Sequence, residues 1–225
     1  MTLTRDWWKW LLGVWMTAVI VAAFLYARPV VPDLGETVRI LFFHVPCAWI
    51  GTLAFLVSAV YSGRYLWKSR SRDDIGAMAA AEIGIVFTFL ATVTGAVWAQ
   101  EIWGKAWNWD PRQTSIFMLL LIYAAYFALR SAVEDPERQA RLAAVYSLIA
   151  FVTVPFLMFV VPRVIESLHP DPLINRQAKV QMEARLLRVF LSSLLGFTIL
   201  FFWMLRLRMD ILQLRKSVEA KQIID

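Results

Sequence analysis

The sequence predicts an all-α polytopic membrane protein, a bundle of six transmembrane helices. The 225 residues are 60% hydrophobic and only 18% charged, and the mean hydropathy is +0.58, which is far more apolar than a soluble domain. A helix needs about 17 to 25 apolar residues to cross a hydrocarbon core of about 30 Å. Six runs of about this length lie near 10–27, 43–63, 78–99, 114–129, 142–162 and 189–205.

These runs are expected to be helical, because lipid offers no water to satisfy the backbone N–H and C=O groups. The first run is interpreted as a retained helix rather than a cleaved signal, since it is long and five more follow it. Residues 1–225 are therefore predicted to form a single transmembrane domain. The tail 206–225 has apolar residues at helical spacing among charges, which favours a cytoplasmic surface helix.

The distribution of basic residues predicts the orientation of the bundle. Most of the 23 Lys and Arg residues fall on the side that also holds the N-terminus, which indicates that both termini lie in the cytoplasm. The net charge of +6 fits basic inner loops and gives no sign of nucleic-acid binding. This orientation places the start of the second helix, the segment near 98–115 and the last long loop on the outer side.

His44 and His169 are the only two histidines of the chain, and the topology places both on the outer side. A proline stands within two residues of each, at Pro46 and Pro170, and stiffens the neighbouring backbone. Neutral imidazole is the usual protein ligand of haem iron. Either histidine alone could be explained as a hydrogen-bonded residue at the membrane boundary. The presence of both on one side favours the interpretation that they are the axial ligands of one six-coordinate haem.

Tryptophans are concentrated in the predicted outer loop, about 98–115. Four of the eleven in the chain are Trp98, Trp103, Trp107 and Trp109. An aromatic belt at the membrane boundary is the alternative explanation, but it does not require such density in one short segment. Buried aromatic side chains each cover roughly 150–250 Å², which suits the flat faces of a macrocycle.

The predicted haem platform therefore comprises Trp103, Trp107, Trp109 and Asp110. Apolar burial at about 25 cal/mol per Å² would hold haem without a covalent bond. The nearby cations Arg39 and Arg112 are candidate contacts for the two propionates.

Several chemistries are excluded by what the sequence lacks. Cys47 is the single cysteine, so the chain forms no internal disulfide and has no Cys-x-x-Cys-His site for covalent haem attachment. The chain also lacks a Gly-x-x-x-x-Gly-Lys-Ser/Thr loop, which indicates that any ATP-driven step belongs to another subunit.

Three segments resemble the CcmC family, the haem exporter protein C of cytochrome c maturation. They are Arg39-Ile-Leu-Phe-Phe-His44-Val-Pro46-Cys-Ala-Trp49, Trp103-Gly104-Lys-Ala-Trp107-Asn-Trp109-Asp110-Pro-Arg112-Gln-Thr114-Ser115 and Ser167-Leu168-His169. The middle segment is similar to the tryptophan-rich WWD signature, which the haem lyase subunit CcmF and the CcsA type of cytochrome c synthase share. The count of two histidines and the residues Arg112, Thr114 and Ser115 favour CcmC.

The resemblance implies that His44 and His169 are axial ligands of haem b, held transiently and without a covalent bond. It further implies haem delivery to the periplasmic haem chaperone CcmE, with CcmD and the ABC-transporter subunits CcmA and CcmB as partners. The expected location is the bacterial inner membrane, among lipid, with the functional face in the periplasm. No catalytic bond chemistry is expected of this chain alone, so we expect that it is not an enzyme.

Two alternatives remain at the level of the sequence. One is a b-type haem subunit of a membrane oxidoreductase, although such subunits usually have histidines inside their helices and often four of them. The other is a permease for haem or a small solute, although repeated halves and paired broken helices, the usual indications, are missing from the sequence.

Overall fold

The structure is a computed structural model that describes residues 6–27, 35–169 and 182–222. This part of the chain is built from helices and contains no strand. The first helices are α1, Trp7–Val21, with a π-helical turn at Ala22–Tyr26, and α2, Leu41–Lys68, which follows a 3-10 turn at Gly35–Ile40. The next are α3, Ser71–Trp103, and α4, Pro111–Ala132. The last are α5, Pro136–Pro155, a π-helical turn at Phe156–Val160, α6, Val161–Val164, and α7, Ala184–Gln222.

Six of these segments are long and apolar enough to cross a membrane. They are Trp7–Tyr26, Gly35–Lys68, Ser71–Trp103, Pro111–Ala132, Pro136–Val164 and Ala184–Val218. The prediction of an all-α bundle with six spans is therefore confirmed. The cytoplasmic placement of the two termini stays a prediction.

Capping residues determine where the helices around the outer loop begin and end. Asp110 is the N-cap of α4 and accepts a hydrogen bond from the backbone N–H of Arg112 at 2.9 Å. Pro111 follows at the first helical position, where its fixed φ and missing N–H suit a helix start. At the other side of the loop, Gly104 ends α3 with φ +72°, a conformation that glycine adopts without steric cost.

The outer loop is shorter than the predicted 98–115. Helix α3 continues to Trp103 and α4 begins at Pro111, so only 104–110 lie between the two helices. The apolar runs are shorter than the helices, because polar residues at the helix ends are also helical where they are capped or form ion pairs. The predicted tail shows the same effect, since 206–222 continue α7 without a break.

Ion pairs join the helices at the end of the bundle opposite to the outer loop. Arg130 of α4 contacts both carboxylate oxygens of Asp74 on α3, at 2.7 and 3.1 Å. Arg64 of α2 lies 3.1 Å from Asp73. These pairs explain why α3 begins at Ser71 rather than near 78.

Glu82 of α3 forms an ion pair with Arg208 of α7. Its two carboxylate oxygens lie 2.6 and 2.9 Å from the Nε and Nη2 atoms of Arg208 on α7. On α3 it stands eight residues beyond Asp74, which is about 12 Å along a helix. The pair therefore ties α3 to α7 between the ion pairs and the middle of the bundle.

Close packing in the middle of the bundle sets the register of α2 against α3. A Cβ atom added at Gly84 of α3 would lie 2.5 Å from the ring of Phe55 on α2. Phe55 in turn stacks on Tyr123 of α4, with ring centroids 3.4 Å apart. This register determines which residues of α3 face the first turns of α2, where His44 lies.

Candidate functional site

His44 lies in the first turns of α2 and faces the outer half of α3. Its Nδ1 atom is 3.0 Å from the Oγ1 atom of Thr94. The next residue of α3 is Gly95, where an added Cβ would lie 2.8 Å from Cε1 of the same imidazole. The ring is therefore half-buried between α2 and a small-residue surface of α3.

His169 follows α6 and is held by the residue that caps α4. Its Nδ1 atom lies 2.8 Å from Oδ1 of Asp110. The other carboxylate oxygen of Asp110 accepts hydrogen bonds from the hydroxyl of Ser167 at 2.9 Å and from the backbone N–H of Leu168 at 2.7 Å. The Asp110 side chain has no exposed surface. Two segments far apart in sequence are thus fastened together by one buried carboxylate.

The environment keeps His169 neutral and Asp110 ionised at neutral pH. Burial lowers the pKa of His169; the carboxylate of Asp110 opposes that shift and the charge of Arg112 adds to it. Burial alone would raise the pKa of Asp110, but hydrogen bonds from the N–H groups of Arg112 and Leu168 and from the Ser167 hydroxyl outweigh it and lower the pKa. His169 is therefore a neutral imidazole beside an ionised carboxylate.

Two tryptophans form the walls around His169. The ring centroid of Trp103 lies 4.9 Å from that of the imidazole, edge-on at 76°, and the centroid of Trp98 lies 5.9 Å away at 32°. The two indoles are 5.2 Å apart. The Nε1 atom of Trp98 is buried and has no hydrogen-bond partner among the described residues.

Trp107 and Trp109 form a separate aromatic group. Their ring centroids are 5.7 Å apart, and Trp107 also contacts Phe117 of α4 at 5.9 Å. Trp109 is 72% exposed and has φ +55°, which is unusual for a bulky residue. Of the predicted platform, Trp103 therefore lies next to His169, whereas Trp107 and Trp109 form the outer surface of the loop.

The two candidate cations differ in their surroundings. Arg39 donates hydrogen bonds to the carbonyl oxygens of Ala23 and Phe24 in the π-helical turn and of Ala27 just after it, and it is also paired with Glu36. Its guanidinium thus closes the π-helical turn.

Arg112, by contrast, lies within electrostatic range of both histidines. His44 and His169 are also within electrostatic range of each other. The chain therefore brings both imidazoles and one predicted cation to the same end of the bundle.

A cavity of about 580 Å³ adjoins this region. It is lined by Phe24, Glu36, Thr37, Arg39, Ile40, Val97, Trp98 and Glu101. Trp98 belongs both to the cavity wall and to the group around His169. The cavity is therefore separated from His169 by the indole of Trp98.

Three residues of the site were not assigned from the sequence: Thr94, Gly95 and Trp98. Thr94 and Gly95 lie in an apolar run with no local signal, and only the packing of α3 on α2 brings them to His44. Trp98 had a usable signal in the density of tryptophans, but it lies on α3 rather than in the loop.

The described residues contain no group of three or more His, Cys, Asp or Glu side chains that could hold a bare metal ion. One imidazole beside two indoles, with a second imidazole against the same helix α3, suits a metal whose other ligands come from a planar macrocycle. The fold and these contacts together define a polytopic membrane protein that has two histidines and a group of tryptophans at one end of its bundle.

Comparison with known proteins identifies the family. A family model described as heme exporter protein C, CcmC, matches residues 1–224. The heme exporter protein C of Bradyrhizobium diazoefficiens is 36% identical over 212 residues, covering 92% of this chain and 80% of that protein. The chain belongs to the CcmC family.

Other relatives agree with this assignment. The heme exporter protein C of Rhodobacter capsulatus is 31% identical over 201 residues, with 86% of this chain and 83% of that protein covered. The protein of the same name from Escherichia coli K12 is 37% identical over 127 residues, with 56% of this chain and 51% of that protein covered.

Proposed function

We propose that this protein binds haem at the outer face of the bacterial inner membrane and delivers it to the haem chaperone CcmE during cytochrome c maturation. Membership of the CcmC family supports a role in haem handling. The observation that carries the proposal is the convergence of the two histidines. His44 and His169 are far apart in sequence, yet both lie against the same stretch of α3. His44 contacts Thr94, and Trp98, one helical turn further along, contacts His169.

In this proposal the two imidazoles are the axial ligands of haem iron. Neutral histidine is a common protein ligand of haem, and the lowered pKa of His169 keeps that ring neutral at neutral pH. The iron needs only two protein ligands, because the porphyrin supplies the other four. The single cysteine provides no Cys-x-x-Cys-His attachment site, so the proposed haem is haem b, held by coordination and packing.

The aromatic residues would contact the porphyrin in two different ways. Trp103 lies beside His169 and would cover the ring close to the iron. Trp107 and the exposed Trp109 would cover its outer part and face the chaperone. Arg112 is the propionate contact in this proposal, because its charge acts on both histidines, whereas Arg39 donates to the carbonyl oxygens of Phe24 and Ala27.

The assembly proposed around the chain follows from its chemistry and its family. The chain has no phosphate-binding loop, so the ABC-transporter subunits CcmA and CcmB would supply ATP hydrolysis, with CcmD as a further partner. The chain itself would bind, orient and release haem without catalysing bond chemistry.

The covalent haem on CcmE measures delivery directly. In cells that contain the other maturation proteins, haem-stained CcmE should be abundant with the wild-type chain. It should be lost with the double variant His44→Ala/His169→Ala at an equal level of membrane-inserted protein. Trp67→Ala is the matched control, because this side chain is 81% exposed near the end of α2. Undiminished CcmE haem in the double variant would contradict the proposal.

A further inference from the structure

Hydrogen bonds determine the tautomer of His169. A carboxylate is an acceptor only, so the 2.8 Å contact with Asp110 places the ring proton on Nδ1. In a neutral imidazole the other nitrogen then carries a lone pair and no proton. His169 therefore offers Nε2 to a ligand.

Hydrogen bonds determine the tautomer of His44 in the same way. The hydroxyl of Thr94 donates its proton to the carbonyl oxygen of Leu90, four residues earlier, at 2.7 Å. At 3.0 Å from Nδ1 of His44 it then acts as an acceptor, which places the ring proton of His44 on Nδ1. Both imidazoles are thus set with Nε2 as the coordinating atom.

The two supports are chemically unequal. A charge-assisted hydrogen bond is roughly twice as strong as a neutral one, and a carboxylate behind an imidazole raises the basicity of the ligating nitrogen. Asp110 provides that carboxylate to His169, whereas the supports of His44 are neutral, the hydroxyl of Thr94 and the backbone of Ala91. His169 is therefore the stronger electron donor of the two.

The backbone around His169 is also held by Asp110. Ser167 and Leu168 each donate to its Oδ2 atom, and the N–H of His169 donates to the hydroxyl of Ser167 at 3.2 Å. This network fastens the segment to the N-terminus of α4. The loop position of His169 thus does not make it the more mobile ligand.

We propose that Asp110 is a positioning residue for His169, and that His44 is the ligand whose bond to iron breaks when haem leaves the protein. The bond that breaks is iron to Nε2 of His44. The imidazole departs as a neutral base with its lone pair, and an incoming ligand donates the pair that replaces it, so no electron or proton transfer is needed. This inference rests on the proposed function and adds the order of ligand release.

A double-mutant cycle tests the role of Asp110. Asp110→Asn retains a favoured N-cap for α4 but removes the charge behind His169. In the full-length protein, haem should pass to an apomyoglobin scavenger about 10- to 100-fold faster. The matched change behind the other histidine, Thr94→Val, should accelerate it less.

The decisive comparison uses a His169→Gly background with 1-methylimidazole added. If Asp110 acts through His169, Asp110→Asn should then have little further effect, because the methylated nitrogen has no proton to donate to this carboxylate. An unchanged 10- to 100-fold effect in that background, or a larger effect of Thr94→Val than of Asp110→Asn, would overturn the positioning role.

Carbon monoxide identifies the labile ligand. It takes one axial position of ferrous haem, and its stretching frequency depends on the ligand that stays on the opposite side. The wild-type adduct should match that of His44→Ala, in which His169 remains. A wild-type CO stretching frequency that matches the His169→Ala adduct would contradict the proposed order of release. So would a wild-type spectrum with two bands of equal intensity, one at the frequency of each single variant.

These outcomes are separable from a failure of the proposed function. A purified wild-type chain that binds no haem would refute the function itself. A chain that binds haem through both histidines, but shows no effect of Asp110→Asn, would refute only the inference about Asp110.

Discussion

Gly95 leaves open the space that the imidazole of His44 occupies, since a Cβ at position 95 would lie 2.8 Å from Cε1 and 3.6 Å from Nε2 of that ring. The contact is made across two helices whose register is set deeper in the bundle by Phe55 and Gly84. The position of this candidate ligand therefore depends on helix packing as well as on its own side chain.

Gly95→Ala should displace the His44 ring and reduce the haem that remains on the purified protein. The matched control is Gly63→Ala, also within a helix, where the nearest atom to an added Cβ is Cδ2 of Leu148 at 4.0 Å. Haem content per protein is the measurement. Equal haem content in the two variants would show that the contact with Gly95 has no role in ligation.

Removal of single tryptophans should reduce haem binding in a defined order. Trp103→Ala should have the larger effect, because this ring lies next to His169, and Trp107→Ala the smaller one. Lost stacking area is the cause in both. A haem titration of each purified variant measures the order. Wild-type affinity in both would show that these tryptophans are only an aromatic belt at the membrane boundary.

The orientation of the bundle predicts the location of reporter domains. A reporter fused after Ser71 should be cytoplasmic, whereas one fused after Lys105 should be external, because basic residues favour the inner side. A pair of reporters active on opposite sides of the membrane measures this. Detection of both on one side would contradict the common outer location of the histidines.

The ion pair between Glu82 and Arg208 predicts a stability effect separate from haem binding. Glu82→Leu should lower the thermal unfolding midpoint, because it leaves a partly buried guanidinium without its carboxylate. The double variant Glu82→Leu/Arg208→Leu should recover much of that loss. Asp210→Asn is the control, since its contact with Arg206 is exposed and 3.9 Å long. A double variant less stable than Glu82→Leu would contradict this account.

The number of spans could be predicted from the sequence because it depends mainly on apolar run length. The helix ends could not, since polar residues such as Asp73 and Asp74 extend α3 through ion pairs with other helices. The length of an apolar run depends only on the apolar residues. It does not include polar residues whose ion-pair partners lie on another helix.

The histidines and most of the tryptophans could be selected from their chemistry alone. The supports of each histidine required the fold: Thr94 reaches His44 only through the packing of α2 on α3, and Asp110 reaches His169 across 59 positions of sequence. The carbonyl groups that accept hydrogen bonds from Arg39 belong to the π-helical turn after α1 and to Ala27, which its position in the sequence did not indicate. Partners of this kind depend on tertiary packing, which a local pattern does not encode.

The absorption spectrum of the detergent-purified, haem-loaded protein tests most directly whether His44 and His169 are the two axial ligands. The wild-type chain should show a low-spin, six-coordinate spectrum. His44→Ala and His169→Ala should each open an axial position or lose haem, because the chain has no third histidine, and added imidazole should partly restore the low-spin form. An unchanged low-spin spectrum in both single variants would contradict the assignment.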